Sequence, residues 1–284
     1  MKNSVNFVFF GTGDFAAKVL EVLCQNNFAP ELVVTTPDKP KGRKMELTPS
    51  PVKQLAEKNN IKTTTDYSLL ATDYSLFIVA DFGRIIPKEI LEMPKHGMIN
   101  VHPSLLPKFR GSSPIQSFIL SGEEETGVTI IKIDEEVDHG PVVAQQQLRV
   151  KNLYHKELEE QLAKLGGEML IKIIPDWVVG KIKPREQNHS QATFTKKINK
   201  EDGLINLDEP AEVIARKVRA FTPWPGAYFF AGGKRIIITE VEIKDSRLII
   251  KRVKPEGKNE MPLKDFLRGN RELNESIGKY LEMV

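Results

Sequence analysis

Asn6-Phe7-Val8-Phe9-Phe10-Gly11-Thr12-Gly13-Asp14-Phe15 decides how the first half of the chain is read. Four consecutive apolar residues run into a Gly-x-Gly turn, and Phe15–Cys24 then carries apolar residues at helical spacing. A strand that is apolar throughout has both faces covered, as in a parallel sheet clad in helices. One lysine before a short apolar run that ends in glycines reads as a buried first strand rather than a signal peptide.

The same alternation continues outward. Apolar runs at Glu31–Thr35, Ser75–Ala80 and Met98–His102 predict strands. Between them, Pro51–Lys58 predicts a short helix opened by proline, and Pro87–Leu91 a helical turn. The expected fold class is α/β, with a Rossmann-like, mostly parallel sheet. From Gly127 the pattern changes: Val128–Ile133 and Val142–Val150 predict strands joined by a polar excursion, and Lys156–Ile174 a long amphipathic helix. The polar stretch after Gly180 marks a boundary. Beyond it lie a helix over Ala211–Phe221 and strands at Ala227–Phe230, Arg235–Glu242 and Arg247–Val253. The expected organisation is therefore an α/β domain over 1–180, a connecting segment over 181–204 and a smaller β-rich domain over 205–284.

Composition narrows the function classes. A chain of 284 residues that is 40% hydrophobic can build two cored domains. Its one cysteine, Cys24, rules out an internal disulfide. No stretch reaches the roughly 18 apolar residues of a membrane helix. A soluble cytoplasmic protein, monomeric and without membrane contact, is expected. The net charge of +3 is unevenly spread. Residues 1–180 hold 20 Lys+Arg against 23 Asp+Glu, whereas residues 181–284 hold 21 against 15. Six basic residues and one acid fall in Lys181–Lys200, a segment that fits either a polyanion contact or an ordinary solvated linker.

Two segments carry chemistry. The Gly11–Asp14 turn lacks the third glycine of a dinucleotide fingerprint and a clear acidic partner after the next strand, so it reads as a turn that positions the first helix. The denser one is Asn100-Val101-His102-Pro103-Ser104-Leu105-Leu106-Pro107-Lys108-Phe109-Arg110-Gly111. In an extended chain, residues two apart share a face, so Asn100 and His102 can both reach a cleft at the C-terminal edge of the sheet. An amide and an imidazole there can stabilise a carbonyl oxygen as it gains negative charge. A carboxylate that orients the imidazole and holds it cationic would complete the set. Asp134, Glu135, Glu136 and Asp138, on one loop between two strands, all compete for that place. Cys24 and the five histidines show no metal-ligand spacing, so no metal is expected.

These segments resemble the folate-dependent formyltransferases, and the resemblance covers nearly the whole chain. Asn100–Pro107 with Arg110-Gly111 is similar to the family's formyl-transfer motif; Glu125–Ile130 followed by Asp138-His139-Gly140 is similar to its second motif. The resemblance implies that Asn100, His102 and Asp138 form a catalytic trio. It also implies that Ser104, Leu105, Leu106 and Pro107 contact the tetrahydrofolate, and that Phe82 and Gly83 lie at the pterin pocket wall. The implied formyl donor is 10-formyltetrahydrofolate. Three further segments resemble the members that formylate methionyl initiator tRNA for translation initiation. Thr36–Arg43, continuing through Leu47–Lys53, is similar to a mobile basic loop at the tRNA acceptor end, with Lys39, Lys41 and Arg43 as tRNA contacts. Phe221–Ala227 resembles the entry to an open-barrel C-terminal domain of OB type, and Pro255–Lys258 with Met261–Asn270 the closing motif. Between Ala227 and Pro255 the chain is shorter than the family pattern, so the barrel is expected to be trimmed. The shared transfer motifs also fit an enzyme acting on an amino sugar or other small amine, and the basic second half fits a non-catalytic nucleotide- or RNA-binding module.

Overall fold

The computed structural model describes residues 5–42, 44–70, 73–273 and 277–280. The chain divides into two compact units. The first comprises the residues up to Gly111, Glu125–Arg149 and Glu159–Phe194; the second comprises Ser112–Glu124, Val150–Leu158 and the residues from Thr195 onward. The units are thus interleaved along the sequence, and their limits differ from the linear boundaries expected at 180 and 204. The cause lies in long-range pairing: Val142 and Arg185 exchange backbone hydrogen bonds of 2.7 and 2.9 Å, which draws residues after 180 back onto the first unit.

The first unit contains the strands Phe7–Gly11 (β1), Leu32–Val34 (β2), Lys39–Lys41 (β3), Glu46–Thr48 (β4), Lys62–Thr64 (β5), Leu76–Ala80 (β6), Met98–His102 (β7), Arg110–Gly111 (β8), Glu125–Lys132 (β9) and Val142–Arg149 (β10). Seven of them form one sheet in the order β10-β9-β7-β6-β1-β2-β5. The five strands from β7 to β5 are parallel, while β9 runs antiparallel to β7 and β10 antiparallel to β9. Every residue of β1 and β6 is buried, as their unbroken apolar sequence demands. The chain builds outward from β1 through β2 to β5, then returns to place β6 on the other side of β1. That reversal is the switch point at which open α/β sheets bind ligands.

Helices Asp14–Gln25 (α1), Pro51–Lys58 (α2), Lys88–Leu91 (α3), Pro114–Ser121 (α4) and His155–Val178 (α5) follow in chain order. α2 starts where the sequence places its proline, and the Ser50 hydroxyl caps it by accepting from the Lys53 amide at 3.0 Å. β9 begins three residues before the expected Val128, because Thr126 and Glu125 pair with Leu148 and Arg149 and lengthen the ladder. α5 runs four residues past the expected Ile174. Pro175 removes one backbone donor from that last turn, and the Trp177 indole N–H anchors the turn on the His96 carbonyl at 3.0 Å.

After the two-residue strand Phe194–Thr195 (β11), the second unit carries Ala211–Phe221 (α6), Ala227–Ala231 (β12), Lys234–Lys244 (β13), Arg247–Pro255 (β14), Met261–Pro262 (β15) and Leu263–Arg268 (α7). β12 to β15 form an antiparallel sheet in sequential order. Its inward residues, among them Phe229, Ile236, Ile238, Ile250 and Val253, share one core with Ile214 and Val218 of α6 and Phe266 of α7. Among the described residues this sheet has four strands, against the five of an OB barrel. No helix among the described residues is long and apolar enough to cross a membrane.

Candidate active site

The C-terminal ends of β1, β6 and β7 lie side by side: Gly11 pairs with Ala80, and Val79 with Asn100. At the first of these ends the glycine turn holds a group of the protein's own. Asp81, in the left-handed region at φ 41°, brings its carboxylate over Gly13, where a Cβ would stand 1.9 Å from Oδ2. The carboxylate accepts the Gly13 amide at the start of α1, so the place an anion would take at that helix end is filled. Burial pushes the Asp81 carboxyl up to about 6, Asp14 adds to the rise and the Gly13 amide opposes it, although part of the residue meets water. The turn therefore positions α1 and receives Asp81.

The end of β7 brings Asn100, His102 and Asp138 together. His102 is buried at 4% exposure, and Asn100 is half-buried two residues before it. Asp138 reaches them from the loop between β9 and β10, where its own φ of 51° turns the chain sharply. Its Oδ1 lies 3.3 Å from Asn100 Nδ2 and 3.5 Å from His102 Nδ1; its Oδ2 accepts the Gly111 amide at 2.8 Å. On the far side of the ring, His102 Nε2 donates to the Phe109 carbonyl at 3.0 Å. A carbonyl oxygen only accepts, so Nε2 carries a proton. With a proton on Nδ1 as well, the ring is a cation that pairs with Asp138; without one, it turns a lone pair toward a carboxylate.

The competition among the loop acids is resolved by their partners. Asp134 Oδ2 meets His139 Nδ1 at 2.7 Å, and Glu135 binds Lys88 of α3 at 2.5 Å. Glu136 is exposed and meets His139 Nε2 only at 4.0 Å, leaving Asp138 as the carboxylate beside His102. The turn depends on Gly140, where a Cβ would lie 1.8 Å from the Lys132 carbonyl oxygen. Gly140→Ala must displace backbone and is expected to destabilise the protein by about 1–3 kcal/mol. Thermal denaturation checks this, and an unchanged Tm would contradict the packing described.

The other expected site residues fall into three places. Ser104 to Pro107 follow β7 and are knitted to the antiparallel strands. The Leu106 amide donates to Thr129 Oγ1 at 3.0 Å, its carbonyl accepts Gln145 Nε2 at 2.9 Å, and the Thr129 hydroxyl donates to the Ser104 carbonyl at 2.7 Å. Ser104 is fully buried, with its hydroxyl on the Lys108 carbonyl and its amide on the His102 carbonyl, whereas Leu105 and Pro107 are half-buried. Phe82 stands edge-on to Phe10 with ring centroids 5.6 Å apart, and the Gly83 amide donates to Thr12 Oγ1 at 3.3 Å. Beside them Ile85 is 94% exposed, and Val137, next to Asp138, is 71% exposed.

Lys39 and Lys41 lie on the exposed β3–β4 hairpin, where Lys39 pairs with Thr48 and Lys41 with Glu46. The hairpin is tied at its base by Lys53 to Asp38 at 2.9 Å. Arg43 lies outside the described residues. Sequence reasoning missed the Phe109 carbonyl and the Gly111 amide, because backbone groups leave no mark in side-chain identity. Among the described residues, no three His, Cys, Asp or Glu side chains group so as to hold a metal ion.

Residues 3–174 match the Formyl transferase family, and residues 197–247 match Formyl transferase, C-terminal domain. The chain is 40% identical to the methionyl-tRNA formyltransferase of Thermotoga maritima over 85% of its own length and 80% of that protein. It is 36% identical to the methionyl-tRNA formyltransferase of Syntrophomonas wolfei over 93% of its length and 96% of that protein. The second alignment runs over 300 residues, more than the 284 of this chain, so that relative carries stretches absent here. In fold, the chain is similar to the N-formyltransferase from Helicobacter canadensis solved with folinic acid and dTDP-3-aminofucose. The TM-score is 0.64 at 21% identity, covering 87% of this chain and 95% of that one.

Proposed function

The chain belongs to the formyl transferase family, and we propose that it moves the formyl group of 10-formyltetrahydrofolate onto the amine of methionyl initiator tRNA through Asn100, His102 and Asp138. The observation that carries this reading is the meeting of an amide, an imidazole and a carboxylate at the end of β7, with Asp138 Oδ1 at 3.3 Å from the first and 3.5 Å from the second.

The chemistry follows from the groups. The neutral methionyl nitrogen attacks the formyl carbon, and the carbonyl electrons move onto oxygen, which becomes an oxyanion. Asn100 gives one N–H to Asp138 and has a second to offer that oxygen. His102 stands between Asp138 and the Phe109 carbonyl and is assigned to the stabilisation of the same charge. Asp138 holds both partners in orientation and accepts the proton lost by the attacking nitrogen, directly or through one water. The oxyanion then re-forms the carbonyl, and the folate nitrogen leaves with the electron pair of its bond to the formyl carbon and takes up the proton that Asp138 accepted. Ser104 to Pro107, Phe82 and Gly83 are assigned to the folate. With both reactants held in contact, no covalent enzyme intermediate is needed. We place the reaction in the cytoplasm.

Lys39 and Lys41, with Arg43, are assigned to tRNA phosphates, and the basic segment Lys181–Lys200 to the same polyanion. Each phosphate contact releases counterions, so tRNA affinity is expected to fall steeply with salt. Charge reversal of Lys39 and Lys41 should raise KM for methionyl-tRNA several-fold and flatten the salt slope by about 0.7–0.9 for each phosphate that is no longer neutralised. KM for the folate should stay unchanged, and salt-independent tRNA binding would contradict the assignment. The decisive experiment incubates the protein with methionyl-tRNA and 10-formyltetrahydrofolate and weighs the aminoacyl product. A gain of one formyl group supports the proposal. Formylation of an amino sugar nucleotide with methionyl-tRNA untouched would overturn it.

A further inference from the structure

We infer that Gln187 is a positioning residue: it straps the Asp138 loop to the Phe109–Gly111 turn and thereby sets the carboxylate against His102. The inference rests on the formyl-transfer reading of that site and adds to it a residue from a segment that reads as linker. Most of the residues flanking it, Lys183 to Glu186 and Asn188 to Gln191, are exposed, yet Gln187 between them is 6% exposed.

Its amide works in both directions. Nε2 donates toward three carbonyls in succession, those of Asp138, His139 and Gly140, at 2.9, 3.0 and 2.8 Å. Oε1 accepts Arg110 Nε and Nη2 at 3.2 and 2.7 Å, and Arg110 is itself only 3% exposed. Arg110 Nη2 also reaches His189 Nδ1 at 2.9 Å, and His189 stacks on His139 with ring centroids 4.1 Å apart. Thr193 closes the strap: its carbonyl accepts the Arg110 amide at 2.9 Å and its hydroxyl the Phe109 amide at 2.8 Å.

One segment thus holds both loops that seat the trio. The Phe109–Gly111 turn supplies the carbonyl that fixes His102 and the amide that fixes Asp138. On the opposite loop, Asp138 sits at a positive φ that a non-glycine residue keeps only when its surroundings enforce it. Gln187 is the side chain found on that stretch of backbone. Removing it leaves three carbonyls and a buried guanidinium short of a partner, and the loop can relax. A displacement of about 1 Å in a reacting constellation costs on the order of 10²-fold in rate.

The test uses Gln187→Ala and the near-isosteric Gln187→Glu, which keeps acceptors for Arg110 and loses the N–H donors. In the full-length protein each should lower kcat for methionyl-tRNA formylation by on the order of 10²-fold, with both KM values within about threefold of the unaltered protein. In an Asp138→Asn background, adding Gln187→Ala should cost less than about twofold more, since a residue acting through Asp138 has nothing left to position. The Gly111 amide should exchange hydrogen faster in Gln187→Ala, while β6 amides keep their protection. Near-normal kcat in either folded variant, a full additional loss on top of Asp138→Asn, or unaltered Gly111 exchange would overturn the inference. Failure of both variants to fold would overturn it too, by showing a purely structural role. Absence of formylation by the unaltered protein counts against the functional reading alone, and the exchange comparison still decides the strap.

Discussion

Alanine at Asn100 lowers kcat for formyl transfer by on the order of 10²–10³, the usual cost of one lost donor to a developing oxyanion. The expectation is specific to kcat. Asn100 is half-buried and its side chain bonds to Asp138, so truncation removes a donor to the developing oxyanion more than it disturbs folding. KM for the folate and for methionyl-tRNA should move little, because an interaction made only in the transition state leaves ground-state binding alone. His102→Ala should lose as much, but the experiment is less clean. The ring is 4% exposed and braces the Phe109 carbonyl, so its removal opens a cavity and unpairs a buried acceptor. A denaturant titration of both variants separates lost stability from lost turnover. The double variant should be little worse than either single one, because the two side chains serve one charge. Near-normal turnover by folded Asn100→Ala would remove the amide from the mechanism.

What the sequence made legible divides by range. β1, α2 and α6 were readable because their signals are local: an unbroken apolar run, a proline at the start of the helix, and apolar spacing stopped by Pro223. Asn100 and His102 were readable as a pair because a strand fixes which residues share a face. The carboxylate was not legible in the spacing: four acids on one short loop look alike in composition, the family resemblance alone singled out Asp138, and the structure separates it through its positive φ and its contacts to Asn100, His102 and the Gly111 amide. The interleaving of Ser112–Glu124 and Val150–Leu158 with the second unit was equally hidden, since it depends on α4 packing against α6, which lies far along the chain. Gln187 was concealed by its setting: in a basic, polar stretch nothing in the residue type marks one glutamine as buried.

Asp138→Asn tests whether charge or mere shape is needed beside His102, and the geometry favours charge. The carboxylate accepts on both oxygens, from Asn100 and the His102 ring side on Oδ1 and from the Gly111 amide on Oδ2. An asparagine fills the same volume but has one acceptor and one NH2 group. If its oxygen faces Gly111, its NH2 points at the Asn100 amide and the His102 ring; if it is flipped, its NH2 meets the Gly111 N–H. Neither orientation restores the set, and the negative charge that favours the imidazolium is gone. The same replacement in a serine protease triad costs about 10⁴-fold by holding the histidine in the wrong tautomer. Here a loss on the order of 10³-fold or more in kcat is expected, larger than for Asn100→Ala. Part of the loss should be in orientation, so raising the pH to favour the neutral amine nucleophile should not restore the rate. If Asp138→Asn kept more than about a tenth of the activity, the carboxylate would be no more than a spacer, and the proton from the attacking nitrogen would need another acceptor.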